Sequence, residues 1–349
     1  MTRVPPTIRI MEFVPDNKGP YVIIGPFPPP HGGISNYVYR LYSLLKDRGE
    51  KVRCLDLTEL TILRKLLYAF FIIFYPIPIV LHVHVINPRL LSTVVLRPFP
   101  KHIIYHDHSG RFVDQLTSRE RRAVQRFLNR CDDIIFVNSH LADYYRRAGL
   151  SVPEDRVKII SSFLPPPLSD RSKVVRSYSR DTMAFVERSR PLIIANGSAL
   201  RFHGGVDLYG MDMCVELIKQ LREEFPTIGL MFALGEIGDY DYFNGIQYSI
   251  RNEGIGDNFY IMLDNTELWP LFENADLMVR PTCVDAYGIS IAEALYFDCP
   301  AIASDVCERP EGTVLFSNRD QSDFLQKCRN TLVNTRLSKR EPSTRQFER

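Results

Sequence analysis

Two carboxylates separated by seven residues, Asp285 and Glu293, are the side chains of this chain best spaced to do chemistry together. An apolar run from Ala275 to Val279 predicts a buried strand, and Gly288 and Ser290 then open a helix. A helix start offers unpaired backbone N–H groups and the positive end of the helix dipole, which suit a phosphate. The carboxylates are then left to bind hydroxyl groups. The alternative is that both acids are solvated, since Asp and Glu are common at helix starts.

This segment resembles family 4 of the retaining glycosyltransferases, which have the GT-B fold. The acid, the glutamate and the Asp-Cys-Pro turn before a short strand at Ala301 to Ala303 carry the likeness. The family usually has Glu-x7-Glu, whereas the first position here is Asp285, shorter by one methylene. The resemblance implies that Asp285 contacts the hydroxyls of the donor sugar and that Glu293 contacts the nucleotide ribose. It also implies that Gly288, Ile289 and Ser290 contact the donor diphosphate and that Tyr287 belongs to the same donor-binding segment.

Three further segments fit the same resemblance. Gly32 and Gly33 lie between a short strand and a helix, where the family has a glycine-rich loop at the domain cleft. His108, in YHDHSGRF, matches a histidine that faces the donor sugar. Arg201 matches a basic residue that holds the diphosphate, but His203 stands near the expected lysine. A tight turn explains the glycines equally well, and a histidine at a strand end needs no catalytic role.

The first half of the chain also has two H-x-H pairs, His82/His84 and His106/His108. Residues i and i+2 of a strand share a face, so either pair could bind a metal. We expect no metal site, because no third ligand accompanies a pair and Asp107 points to the opposite face.

Length and composition indicate an ordinary soluble protein of about two domains. Strands alternating with helices predict two doubly wound, Rossmann-like α/β domains, facing each other across a cleft as in the GT-B fold. We place them at residues 1–165 on the acceptor side and 166–329 on the nucleotide-sugar side, with a helix at about 330–349 packing back on the first. Seven scattered cysteines and no recognisable signal peptide favour the cytoplasm.

Charge is distributed unevenly along the chain. Residues 1–165 contain 23 Lys and Arg against 14 Asp and Glu, whereas the remainder is acidic. An excess of positive charge favours an anionic membrane surface, and no nucleic-acid-binding signature accompanies it. The run Leu63 to Tyr75 is apolar nearly all round, which predicts a core helix or a shallow membrane-docking element.

The function implied by the resemblance is transfer of a hexose, with retention, from a UDP- or GDP-sugar to a sugar hydroxyl. The acceptor is expected to be lipid-linked, at the inner face of the membrane, in cell-surface polysaccharide synthesis. No cofactor or metal is expected, because arginine and a helix dipole can hold the diphosphate. The alternatives are a degenerate sugar-nucleotide-binding subunit, a GT-B epimerase or phosphorylase, and a metal hydrolase that uses the H-x-H pairs.

Overall fold

A computed structural model describes residues 19–29, 31–56, 62–85, 87–99, 101–108, 110, 113 and 115–338. The chain separates into two compact units, Met1–Pro167 and Leu168–Arg349. Within the described ranges, no helix combines the length and the apolar character that crossing a membrane requires.

Unit 1 is built on a six-stranded, all-parallel sheet. Parallel strands are buried on both faces, which explains their apolar sequences. The strands are β1 (Tyr21–Ile24), β2 (Val52–Leu55), β3 (Ile79–Val83), β4 (Lys101–Asp107), β5 (Asp133–Phe136) and β6 (Val157–Ile159). Their order in the sheet is β2-β1-β3-β4-β5-β6.

Helices cover both faces of this sheet. One face packs against Tyr37, Val38 and Leu41 of the first helix, and the other carries a separate core that includes Phe127 and Tyr145. The helices are α1 (Gly33–Asp47), α2 (Ile62–Phe74), α3 (Pro88–Leu96), α4 (Ser118–Leu128) and α5 (Leu141–Arg147). The apolar segment predicted at 63–75 is therefore a helix, and it is only partly buried, since Phe70 is 62% exposed.

Unit 2 contains a second all-parallel sheet of six strands and a small antiparallel pair. The strands are β7 (Leu192–Leu200), β8 (Phe202–His203), β9 (Val206–Asp207), β10 (Gly229–Gly238), β11 (Phe259–Met262), β12 (Leu277–Arg280), β13 (Ala301–Ser304) and β14 (Val314–Phe316). The large sheet has the order β11-β10-β7-β12-β13-β14, and β8 pairs with β9.

The helices of unit 2 complete a doubly wound arrangement, as the alternation of strands and helices predicted. They are α6 (Arg171–Arg176), α7 (Arg180–Arg188), α8 (Met211–Leu221), α9 (Tyr240–Asn252), α10 (Trp269–Phe272), α11 (Ile289–Tyr296) and α12 (Gln321–Ser338). Phe324, Cys328 and Leu332 of α12 belong to the core of unit 2. Residues 339–349 lie outside the described residues, so the packing of the terminal segment on the first domain stays a prediction.

The strand order reverses direction at β7 in unit 2. From β7 the chain moves outward through β10 and β11, and it then returns to β12 on the other side of β7. Helices leave opposite faces of the sheet at such a reversal, which opens a crevice at the carboxyl ends of the two strands. The ends of β7 and β12 are therefore where a ligand of unit 2 is expected. In unit 1 the corresponding reversal lies between β1 and β3.

Candidate functional site

Asp285, in the loop after β12, is held between two arginines. Its Oδ2 atom accepts hydrogen bonds from Arg280 Nε at 2.5 Å and from Arg309 Nη1 at 2.7 Å. Its Oδ1 atom accepts from the backbone N–H of Ala286 at 3.0 Å. Burial by itself raises the pKa of the Asp285 carboxyl, but the two arginines outweigh burial and hold this pKa well below its usual value. Asp285 is therefore ionised at neutral pH.

Arg309 is itself fixed by the loop and strand that surround it. Its Nε donates to the carbonyl of Ser304 at 3.0 Å, and its Nη2 donates to Ser304 Oγ at 3.1 Å and to Thr282 Oγ1 at 3.3 Å. The side chain is only 2% exposed. Two guanidinium groups against one carboxylate leave the Arg280, Asp285 and Arg309 cluster with a net charge of +1, which suits an anionic ligand.

Asn196 joins this cluster to the start of α11. Its Oδ1 atom accepts from Arg280 Nη1 at 3.0 Å and from Ser290 Oγ at 2.9 Å. Asn196 lies on β7 and Arg280 ends β12, so the contact occurs where the strand order reverses. The predicted proximity of segment 196–205 and the loop 285–293 is thus found at Asn196.

Helix α11 begins at Ile289, as the sequence predicted, with Gly288 as its N-cap. Gly288 has φ +91°, and a Cβ there would lie 2.7 Å from Ile291 Cδ1 and 3.0 Å from Arg309 Nη1. Glycine alone accommodates both the positive φ and the lack of space for a Cβ atom. It offers no side chain to cap the helix, so the positive end of the helix dipole is left for another acceptor. Glu293 follows one turn into α11 and is buried.

Arg201 lies away from this cluster of contacts. It follows β7 directly, is 65% exposed, and forms an ion pair with Glu236 at 3.0 Å. Phe202 and His203 next to it are also exposed. Among the residues that the structure describes, the basic side chains in contact with Asp285 are Arg280 and Arg309, which no local sequence pattern indicates.

The predicted site residues of unit 1 lie at the carboxyl ends of its strands. Gly32 is the N-cap of α1 and Gly33 is its first residue, and both are exposed. The N–H of Gly32 donates to Ser35 Oγ at 2.9 Å. His108 follows β4 and is buried, with Nε2 3.0 Å from Nδ1 of His84. Burial, with a smaller effect of His82, lowers the pKa of His108 to about 3, so its imidazole is neutral at neutral pH.

The expectation that the H-x-H pairs lack a third ligand is wrong. Ring nitrogens of His82, His84 and His106 all lie within 4.8 Å of one another. The two pairs are far apart in sequence, but β3 and β4 are neighbours in the sheet, and this brings them together. Asp107 does point away, because its carboxylate accepts from Tyr145 Oη at 2.8 Å within the core on the other face.

Comparisons with known proteins agree with this architecture. The model of a family described as "Glycosyl transferases group 1" matches residues 206–317, which is less than half of the chain. No curated protein matches the chain in sequence.

Several solved structures are similar over nearly the whole chain. Anabaena Alr3699/HepE in complex with UDP-glucose is 14% identical, with a TM-score of 0.60 over 90% of each chain. A glycosyltransferase from Rickettsia africae is 14% identical, with a TM-score of 0.62 over 91% of this chain and 89% of that one. Sucrose-phosphate synthase from Thermosynechococcus elongatus is 17% identical, with a TM-score of 0.60 over 91% and 90%. At these identities the likeness shows the fold, which is GT-B.

Proposed function

We propose that the chain is a retaining glycosyltransferase that moves a hexose from a nucleotide sugar to an acceptor hydroxyl. The observation that carries this proposal is the buried contact of Asp285 with Arg280 and Arg309, at the strand reversal and beside the uncapped start of α11. An anionic, hydroxyl-rich ligand needs a positive anchor and a fixed carboxylate, and this cluster supplies both. The match of residues 206–317 to glycosyltransferases and the GT-B fold support the same reading.

In this proposal the donor diphosphate binds at the N-terminus of α11, next to Gly288, Ile289 and Ser290. The surplus positive charge of Arg280 and Arg309 stabilises the phosphates as the sugar departs. The bond from the anomeric carbon to the diphosphate breaks, and the acceptor oxygen bonds to that carbon from the same face. The diphosphate stays on that face and takes the proton of the acceptor hydroxyl, so retention needs no protein nucleophile. We propose that this step needs no metal, since the helix dipole and the arginines carry the charge.

The carboxylate of Asp285 is a rigid acceptor for the donor sugar. A carboxylate has about four acceptor positions, and within the described ranges the N–H groups of Arg280, Arg309 and Ala286 use three of them. The position that is left suits one sugar hydroxyl. Glu293, buried in α11, is proposed to bind the ribose, and Tyr287 to line the donor pocket. The roles of Arg201, His108, Gly32 and Gly33 rest on the family resemblance and stay predictions.

A nucleotide panel tests the donor site. Thermal unfolding of the full chain is measured with UDP, GDP, ADP, CMP and the corresponding sugars. Glu293→Gln is compared with Glu187→Gln, which changes an exposed glutamate on α7. A ligand at a hundred times its Kd adds about 2.7 kcal/mol, which is readily detected. UDP and UDP-glucose come first, because Anabaena HepE binds both. The proposed site would be overturned if no nucleotide stabilised the protein. It would also be overturned if a nucleotide stabilised Glu293→Gln as much as it stabilises the wild type.

We further propose that the acceptor is lipid-linked, in cell-surface polysaccharide synthesis, and that unit 1 docks on the inner face of the membrane. Leu67, Phe70 and Phe74 lie on one face of α2 and are each more than half exposed. Leu96 is 69% exposed, and Arg97 beside it donates to the carbonyls of Ile72 and Ile77. This apolar stripe in a basic half of the chain suits an anionic bilayer.

Co-sedimentation with vesicles tests the docking proposal separately. We expect binding to vesicles that contain anionic lipid and loss of binding in the double variant Phe70→Ser/Phe74→Ser. Tyr248→Ser, which changes an exposed aromatic residue of unit 2, is the matched control. Equal binding to neutral and anionic vesicles, or no effect of the double variant, would contradict the proposal.

The alternative function is a sugar-nucleotide-binding subunit without turnover. It is favoured by Asp285 in place of the longer glutamate and by His203 near the expected lysine. It predicts the same stabilisation by nucleotide, but no release of the nucleoside diphosphate from the donor in the presence of acceptor. Measuring binding and turnover on the same protein separates the two functions.

A further inference from the structure

Four histidines of unit 1 share one face of its sheet. The parallel register aligns His82 of β3 with Ile104 of β4, and aligned residues of neighbouring strands point to the same side. His84, directly after β3, lies two residues beyond His82 on the same face. His106 of β4 lies two residues beyond Ile104 on that face, and His108 follows after the end of β4. All four are buried, and His106 is completely inaccessible.

The imidazole rings are in contact with one another. Ring centroids are 4.5 Å apart for His82 and His84, and 4.1 Å apart for His106 and His108. His84 and His106 join the two pairs at 5.4 Å. Tyr37 of α1 covers the group, with its ring centroid 4.8 Å from that of His106. Chain segments from α1, β3 and β4 therefore enclose a cluster made of imidazole groups.

Several ring nitrogens in this cluster have no hydrogen-bond partner among the described residues. They are Nε2 of His82, Nε2 of His84, both ring nitrogens of His106 and Nδ1 of His108. A buried polar atom without a partner is destabilising, and proteins rarely leave several of them together. The lone pairs on unprotonated nitrogens of these rings are therefore available to coordinate a cation.

The contact between His84 and His108 prepares one ring for metal binding. Nδ1 of His84 lies 3.0 Å from Nε2 of His108. When Nδ1 of His84 carries the proton and donates to His108, Nε2 of His84 presents its lone pair. A histidine that binds a metal through one nitrogen commonly donates its other N–H to a neighbouring acceptor in this way.

We propose that His82, His84 and His106 bind one divalent transition-metal ion of the Zn²⁺, Co²⁺ or Ni²⁺ type. Their ligand atoms lie within 4.8 Å of one another, and three imidazoles without a carboxylate select these ions over Mg²⁺ and Ca²⁺. Tetrahedral metal–nitrogen bonds of about 2.1 Å place ligand nitrogens about 3.4 Å apart, so the widest of these separations must shorten by up to about 1.4 Å. All the proposed ligands belong to unit 1, and metal binding is measured without any assay of transferase activity.

The test uses the full chain without a polyhistidine tag, stripped with EDTA and then titrated with Co²⁺. Tetrahedral Co²⁺ with imidazole ligands has a visible absorption band that free Co²⁺ lacks. We expect one ion per chain and a visible band that Zn²⁺ displaces. His82→Gln and His106→Gln are expected to weaken Co²⁺ binding at least 10-fold, whereas His140→Gln, which changes an exposed histidine of unit 1, leaves it unchanged.

X-ray absorption at the zinc edge of the Zn²⁺-loaded wild-type protein counts imidazole ligands without any substitution, so the test does not depend on whether the variants fold. Three imidazoles on one ion support the proposal. Failure of the folded protein to bind Co²⁺, Zn²⁺ or Ni²⁺ at one equivalent would overturn it, and so would fewer than three imidazole ligands on the zinc. Binding that survives both His82→Gln and His106→Gln would overturn it as well.

Discussion

Arg309 donates a hydrogen bond to Asp285 at 2.7 Å, although the two residues are 24 positions apart and follow different strands of unit 2. Because β12 and β13 are neighbours in the sheet, the loops after them meet. The pair fixes the carboxylate that the proposed function assigns to the donor sugar.

Replacing Arg309 is expected to destabilise unit 2. Arg309→Met removes the hydrogen bonds to Ser304, Thr282 and Asp285 and leaves the buried carboxylate with only one arginine. Breaking a buried ion pair from one side costs about 3–5 kcal/mol of unfolding free energy. Arg171→Met removes a more exposed ion pair with Glu273 and should cost at most about 1 kcal/mol. Urea unfolding of both variants checks this, and equal losses would contradict it.

Asp285→Asn is expected to lower transfer activity more than it lowers nucleotide affinity. The amide keeps the shape of the side chain but removes the charge that orients Arg280 and Arg309. Loss of one preorganised polar contact in an active site typically costs about 10²–10³ in kcat. Steady-state kinetics with the donor found by the nucleotide panel checks this. A kcat of Asp285→Asn equal to that of the wild type would show that Asp285 has no role in the transfer step.

The stabilising effect of Asp285 is expected to disappear in acid. Burial raises and the two arginines lower the pKa of this carboxyl, with a net lowering below its ordinary value of 3.8. The unfolded chain then takes up the proton more readily, so the stabilisation is present above a pH of about 4 and is lost below it. The difference in unfolding free energy between wild type and Asp285→Asn should shrink by about 1.4 kcal/mol for each pH unit below about 4. Unfolding in urea across this pH range measures it, and a constant difference would contradict it.

Two glycine substitutions are expected to separate folding from binding. Gly288→Ala forces a Cβ into φ +91° and toward Ile291, which should cost about 1–3 kcal/mol of stability. Gly32 has φ −156°, and an added Cβ would meet only Ser35 Oγ at 3.8 Å. Gly32→Ala should therefore change stability by no more than about 0.5 kcal/mol, yet weaken donor binding. Thermal unfolding with and without donor distinguishes the two. Unchanged donor affinity in Gly32→Ala would show that the start of α1 at Gly32 and Gly33 does not take part in donor binding.

The fold could be predicted because its signals are local. Apolar runs of four to six residues alternate with amphipathic segments, and this pattern alone indicates parallel sheets covered by helices. The observed bounds differ by a few residues, as for β12, which was predicted at 275–279 and lies at Leu277–Arg280. Such shifts are expected, because the ends of strands are decided by hydrogen bonding to neighbours and not by hydrophobicity.

The candidate site was predicted only in part, for the same physical reason. Asp285 and Ser290, which the structure links through Arg280 and Asn196, are close in sequence, so their spacing indicates them. Asn196 and Arg309 reach the site because β7, β12 and β13 are adjacent, and the order of strands is not written in any local pattern. The error about the histidine pairs has this origin too, since each H-x-H pair is local but the pairing of β3 with β4 is not. A basic residue shortly after a neighbouring parallel strand was the one signal that could have suggested Arg309.

Every contact described for the Asp285 cluster joins residues of unit 2, from Asn196 to Arg309. Unit 2 also has its own hydrophobic cores on both faces of its sheet. Recombination that exchanged the first unit for another would leave this cluster intact. Evolution can therefore vary what is joined to unit 2 while inheriting the cluster unchanged, and chimeric proteins with a break near residue 167 are a practical way to exploit that modularity.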